Sequence, residues 1–181
     1  MSIEKISRTA RFGQFAANFG LVIYALTIVT LIGDFVQGEG ALGKTLLEGT
    51  PWETIASPMP TGIALACLPL WFFTFALGAV LLWHARALFL GVRRQGVFVD
   101  QTAKRLTIIG WIVVALAPAD ILSTTAISWV VRALNPDKDI QLIFAVDDGD
   151  IYAVVVGLVI VVLGRIMTEA IRLYRENGEF V

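Results

Sequence analysis

The sequence predicts an all-α membrane protein, a four-transmembrane-helix bundle with short outer loops. Three observations predict it. The 181 residues are 57% hydrophobic and 16% charged, against about 25% charged in an ordinary soluble domain. The apolar residues gather into four blocks, near 15–35, 61–83, 106–131 and 151–174. Each exceeds or matches the roughly 20 helical residues that cross a hydrocarbon core about 30 Å thick. Finally, "LVIYALTIV" and "YAVVVGLVIVVL" lack the apolar–polar alternation of barrel strands. In lipid only helices and closed barrels satisfy their own backbone, so four helices remain.

The helices are expected at about 15–35, 61–90, 101–131 and 151–176, within a single membrane domain covering 1–181. Outer loops fall at 36–60 and 132–150, and an inner hairpin at 91–100. The first block is too long for a signal-peptide core and lacks a clear A-x-A site, so it is expected to stay as an anchor. The one cysteine, Cys67, rules out an internal disulfide.

Charge gives the threading. With the N-terminus, the 84–105 connection and the C-terminal end on one side, that side holds Lys5, Arg8, Arg11, Arg86, Arg93, Arg94, Lys104, Arg105, Arg165, Arg172 and Arg175. The other keeps Lys44, Arg132 and Lys138. The excess of Lys and Arg predicts that both termini are cytoplasmic. The carboxylates Asp34, Glu39, Glu48, Glu53, Asp137, Asp139, Asp147, Asp148 and Asp150 then fall outside. Trp83 and Trp111 mark the inner interface and Trp129 the outer one. The basic face matches insertion and anionic lipid headgroups, and with no nucleic-acid motif present, no direct nucleic-acid binding is expected.

In the first outer loop "ALGKTLLEG" (41–49) reads as one or two amphipathic turns on the membrane surface, with Trp52 as anchor. In the second, "IQLIFAV" (140–146) reads as a short strand or an extended cap. "DDGD" at 147–150 lacks the spacing of a calcium loop. Asp150 is expected to cap the fourth helix, with Asp147 and Asp148 beside its positive end. At the inner hairpin Asp100 reads as the N-cap of the third helix.

The segment "ARALFLGVRRQGVFVDQTAKRLTIIGWIV" is the most specific text in the chain. Its "LF" at 88–89, "RRQGVF" at 93–98 and "AKRLTIIGW" at 103–111, with the ending "LGRIMTEAIRLYRENGEFV", resemble DUF2975. This is a family of small bacterial integral membrane proteins of unknown function. The resemblance implies a multi-pass protein of the bacterial inner (cytoplasmic) membrane and a link to a small helix-turn-helix regulator. It implies no catalytic residues.

Two sets of residues are candidates for function. The first is an intramembrane polar group. Asp120 follows Pro118 by two residues deep in the third apolar block, where an ionised carboxylate costs about 2.5–3.5 kcal/mol on insertion scales. A helix restarting at Pro118 would offer its first N–H groups to that carboxylate. Ser123 and Thr124, with Thr125, add hydroxyls. Tyr24 and Thr27 of the first helix lie on one stripe with Gly13, Ala17, Gly20 and Asp34, and Thr74 of the second lies one turn from Gly78. Such stripes let helices approach and hydroxyls bond across.

The second set is a cytoplasmic docking strip: Arg93, Arg94, Lys104 and Arg105 at the hairpin, with Arg165, Glu169 and Arg172 alternating in sign along the fourth helix. No metal or cofactor is expected. His84 is the only histidine, and one His with one distant Cys cannot assemble a zinc site. No nucleophile–base set, phosphate loop or dinucleotide fingerprint is present.

The expectation is therefore a non-enzymatic accessory or signalling subunit. It would be embedded in the lipid bilayer and work through a protein partner or a second copy of itself. The alternative is a small-molecule or ion sensor or transporter built on Asp120.

Overall fold

The computed structural model describes residues 3–37, 41–42, 44, 61–95, 99–134 and 146–178. Four long helices make up almost all of it: α1 (Ile3–Gln37), α2 (Thr61–Gln95), α3 (Asp100–Leu134) and α4 (Asp148–Gly178). There is no strand among the described residues. Each helix contains a span apolar enough and long enough to cross a membrane, 29 to 34 residues in length. The class is thus all-α, a four-helix membrane protein.

Each helix runs further than the apolar blocks alone imply. α1 begins at Ile3, ahead of Phe15, and α2 continues to Gln95. Polar residues carry a helix past the hydrocarbon wherever the backbone ladder continues unbroken, and Arg93 and Arg94 suit the negative end of α2. Pro118 and Pro69 both lie inside continuous helices, so α3 does not restart at Pro118 as the sequence suggested.

Two helix starts also differ from expectation. The carbonyl of Val99 accepts from the N–H groups of Thr102 at 2.9 Å and Ala103 at 3.3 Å. Val99 is therefore the capping residue of α3, and Asp100 is its first helical residue. α4 begins at Asp148, which puts Asp148 and Asp150 in its first turn, where carboxylates face the positive end of the helix. All but Val146 of the "IQLIFAV" element at 140–146, and most of "ALGKTLLEG", with Trp52, lie outside the described residues; Val146 is in neither helix nor strand, and positions 41, 42 and 44 are helical.

The chain divides into two compact units. One comprises Met1–Val22, Leu77–Ala117 and Asp148–Val181, the other Ile23–Ala76 and Pro118–Asp147.

In the first unit the helices meet through small residues. A Cβ built on Gly13 would stand 2.5 Å from the Phe89 ring, and one on Gly20 would stand 3.0 Å from Leu82. Between α3 and α4 the backbones themselves touch. A Cβ on Gly110 would lie 2.7 Å from the Val161 nitrogen and 2.8 Å from the Gly157 carbonyl oxygen. One on Gly157 would lie 2.8 Å from the Val114 nitrogen and 2.9 Å from the Gly110 carbonyl oxygen. Gly164 repeats the arrangement 2.8 Å from the Thr107 nitrogen. Helices in lipid gain nothing from hiding apolar surface from water, so they associate by this kind of close contact.

In the second unit Leu31, Leu42, Ala64 and Val131 form the buried cluster, with Ile63, Leu68, Trp71 and Ile127 against it. The Tyr24 ring stacks on Phe75 at 4.1 Å, and Trp71 stacks on Phe75 at 4.9 Å.

Little of each span is enclosed: 6% of the most apolar window in α1 and 28% in α3. Phe15, Leu26, Val29, Leu122, Val155 and Ile166 are all more than half exposed. These side chains meet hydrocarbon, which is as apolar as they are. Trp83, Trp111 and Trp129 are exposed too, as interfacial anchors are. Arg86 lies over the Trp83 ring at 5.5 Å, keeping its charge beside the aromatic face.

Candidate functional site

The second unit holds the intramembrane polar group, and the structure joins only part of it. Thr74 Oγ1 on α2 and Ser123 Oγ on α3 are 2.8 Å apart. Ser123 Oγ donates to the Leu70 carbonyl at 3.2 Å. With its single proton committed there, Ser123 accepts from Thr74. The hydroxyls thus form a short relay ending on a main-chain oxygen of α2, and Ser123 is buried.

Tyr24, Thr27 and Thr124 lie outside this pair. Tyr24 is held by its stack on Phe75. Thr27 turns back on its own helix, donating to the Ile23 carbonyl at 3.0 Å, and Thr124 is half-buried on the same turn as Ser123. Thr125 Oγ1 is buried with no hydrogen-bond partner among the described groups, although Ser128 donates to the Thr125 carbonyl at 2.7 Å.

Asp120 lies nine residues after Trp111 and nine before Trp129. It shares a stripe of α3 with Ser123, Ile127 and Val131, all turned inward. Asp120 itself is exposed.

The second unit also carries a groove of about 670 Å³ lined by α1, α2 and Leu42. Leu31, Phe35, Pro69, Phe72 and Phe73 form much of its wall, and every lining side chain is apolar. A surface of this kind accepts hydrocarbon and offers nothing to orient a polar substrate.

The first unit gathers the basic residues. Arg93 donates to Gln14 Oε1 at 2.5 Å, linking α2 to α1. Arg105 of α3 donates to the Ala87 carbonyl of α2. Arg172 pairs with Glu169 at 2.6 Å and with Glu176 at 3.3 Å, so the alternating charges of α4 satisfy one another along one helix face. Arg175 reaches Asp100 at 2.7 Å, joining the end of α4 to the start of α3. Lys104 and Arg165 are exposed. His84 Nδ1 lies 3.0 Å from the Val80 carbonyl of its own helix, which assigns the proton to that nitrogen.

Among the described residues no group of three or more His, Cys, Asp or Glu side chains is placed to hold a metal ion.

Sequence reasoning missed the α3–α4 contact at Gly110, Gly157 and Gly164. The signal was there: Gly157 and Gly164 are seven residues apart and so share a helix face. The Asp100–Arg175 pair had no such signal, because nothing local sets the register between α3 and α4.

The model of the family described as "Protein of unknown function (DUF2975)" matches residues 48–181. No curated protein and no solved structure matches the chain.

Proposed function

Because the chain belongs to the DUF2975 family, we propose that it is a non-enzymatic accessory or signalling subunit of a bacterial inner membrane, with both termini in the cytoplasm. One observation carries the reading. At the end of α2, the start of α3 and the C-terminal half of α4, Arg93, Arg94, Lys104, Arg165, Glu169 and Arg172 all stand exposed on one unit. A charged, structured surface on a membrane-embedded scaffold recognises a soluble or membrane partner through complementary charge.

Crosslinking in native membranes, followed by mild extraction, tests it. A defined partner chain is expected with the wild type, and Arg93→Glu/Lys104→Glu/Arg172→Glu is expected to release it. Recovery of the protein alone in both cases overturns the reading. Reporter fusions at each terminus and within 84–105 are expected to place all three in the cytoplasm.

A second reading, a sensor or transporter site, is favoured by the exposure of Asp120 on the inward stripe of α3. Ionisable groups inside a span mark ligand and proton pathways. Asp120→Asn separates the two. A ligand or proton site predicts unchanged folding with loss of one specific activity, whereas a packing role predicts lost stability and a parallel decline in everything else.

A further inference from the structure

A cleft of about 240 Å³ opens where α2 ends and α3 begins, lined by Ala87, Leu90, Gly91, Arg94, Gln101 and Arg105. The geometry points to this cleft as a binding site for a phosphate oxyanion, carried by an anionic lipid headgroup or free in solution.

At this end of the first unit the described carboxylates are already engaged: Asp100 by Arg175, and Glu169 and Glu176 by Arg172. Among the described residues neither Arg94 nor Arg105 has a carboxylate within 4.0 Å. Two arginines therefore line one concavity with no counter-charge among the described residues.

Arg105 is half-buried, and one of its N–H groups is spent on the Ala87 carbonyl. That bond fixes the direction of the planar fork and leaves further N–H donors for a ligand. Gln101 adds an amide at the rim, and Gly91 keeps one wall low: a Cβ there would come no nearer than 3.9 Å to Thr102 Oγ1. A pre-oriented arginine fork beside a second arginine and an amide suits the tetrahedral oxygens of phosphate.

The cleft's position is as informative as its charge. Arg94 ends the apolar span of α2, and Asp100 opens that of α3, so the cleft lies at the shared end of both spans. Ala87 and Leu90 supply an apolar floor beside the cations, as a glycerol backbone and the first acyl carbons would require. Basic pockets between transmembrane helices bind lipid headgroups in this manner.

The test uses the full-length protein purified in mild detergent and examined by native mass spectrometry, with phosphatidylglycerol or phosphatidylcholine added in equal amounts. One phosphatidylglycerol is expected to be retained, in preference to phosphatidylcholine. Arg94→Gln/Arg105→Gln is expected to lower its retention by about tenfold or more. Arg8→Gln/Arg11→Gln removes the same charge from α1 and is expected to leave retention unchanged.

Inorganic phosphate in a parallel titration distinguishes the sources. If it binds the wild type and not the double variant while neither lipid is preferred, soluble phosphate is the ligand. If it neither binds nor displaces lipid, the headgroup is. Circular dichroism and monodispersity establish folding, and should the double variant misfold, Arg94→Gln alone carries the test, since its exposed side chain supports no described contact. Equal retention in the cleft and α1 variants overturns the proposal. So does the absence of any preference between the two lipids together with no phosphate binding.

Discussion

The hydroxyl of Thr74 lies 2.8 Å from that of Ser123, and the two bind α2 to α3 without a single charge. Hydrogen bonds of this kind between helices in lipid are worth about 0.6 kcal/mol, and at most about 1.7. Thr74→Val and Ser123→Ala should each lower stability by about that amount or somewhat more, since each also loses a main-chain partner, Ala119 at 3.5 Å and Leu70 at 3.2 Å. A double-mutant cycle read by detergent-induced unfolding should return a coupling energy of about 0.6 kcal/mol, and a coupling of zero would dissolve the relay.

The glycines of α3 and α4 should divide sharply from those in open space. Gly157→Ala sets a methyl 2.8 Å from the Val114 nitrogen and must separate two backbones, at a cost of about 1–3 kcal/mol. At Gly33 an added methyl would meet nothing within 4 Å. Gly33→Ala should therefore stabilise α1 by up to about 1 kcal/mol through helix propensity. Unfolding midpoints of the two variants should move in opposite directions.

Cys67 is 2% exposed. Its thiol should resist a maleimide reagent in the folded protein and react fully once the helices are unfolded. Rapid labelling of the native protein in membranes would show that the packing around Cys67 opens.

The Arg175–Asp100 pair spans two helices, yet both side chains are largely exposed, at 63% and 42%. Exposed pairs of this kind contribute about 0–1 kcal/mol and are screened by salt. Asp100→Asn should therefore change stability by less than about 1 kcal/mol, with the difference disappearing at high ionic strength. A larger, salt-insensitive loss would mean that the pair is desolvated in the membrane-embedded protein.

The four helices were legible in the sequence because hydrocarbon leaves a chain few choices: long apolar blocks must close their backbone bonds internally. The stripe of Gly13, Ala17, Gly20 and Tyr24 was legible for a related reason, since spacing of three and four places residues on one face. In the structure Gly13 lies against Phe89, Gly20 against Leu82 and Tyr24 on Phe75, while Thr27, on the same stripe, bonds to its own helix. Pro118 misled because a proline within a long apolar helix removes one hydrogen bond without ending it; α3 continues to Leu134. Of the polar residues singled out, Thr74 and Ser123 meet and Tyr24 and Thr27 do not join them. Which hydroxyls meet depends on the register between helices, and that register is fixed by contacts far apart in sequence. The basic cleft was half legible: Arg94 and Arg105 stood out as charges, but only the fold brings both to one hollow.

With 6% of its most apolar window sheltered by protein, α1 is held at the notches of Gly13 and Gly20, by the Tyr24–Phe75 stack and by Leu31 in the buried cluster. Most of its neighbours are molecules that exchange freely. Extraction into detergent replaces that surrounding medium wholesale, so α1 is where purification should loosen the assembly first. A preparation can retain full helical content by spectroscopy while this helix has already parted from the rest, and choice of amphiphile becomes a variable of the protein's own architecture.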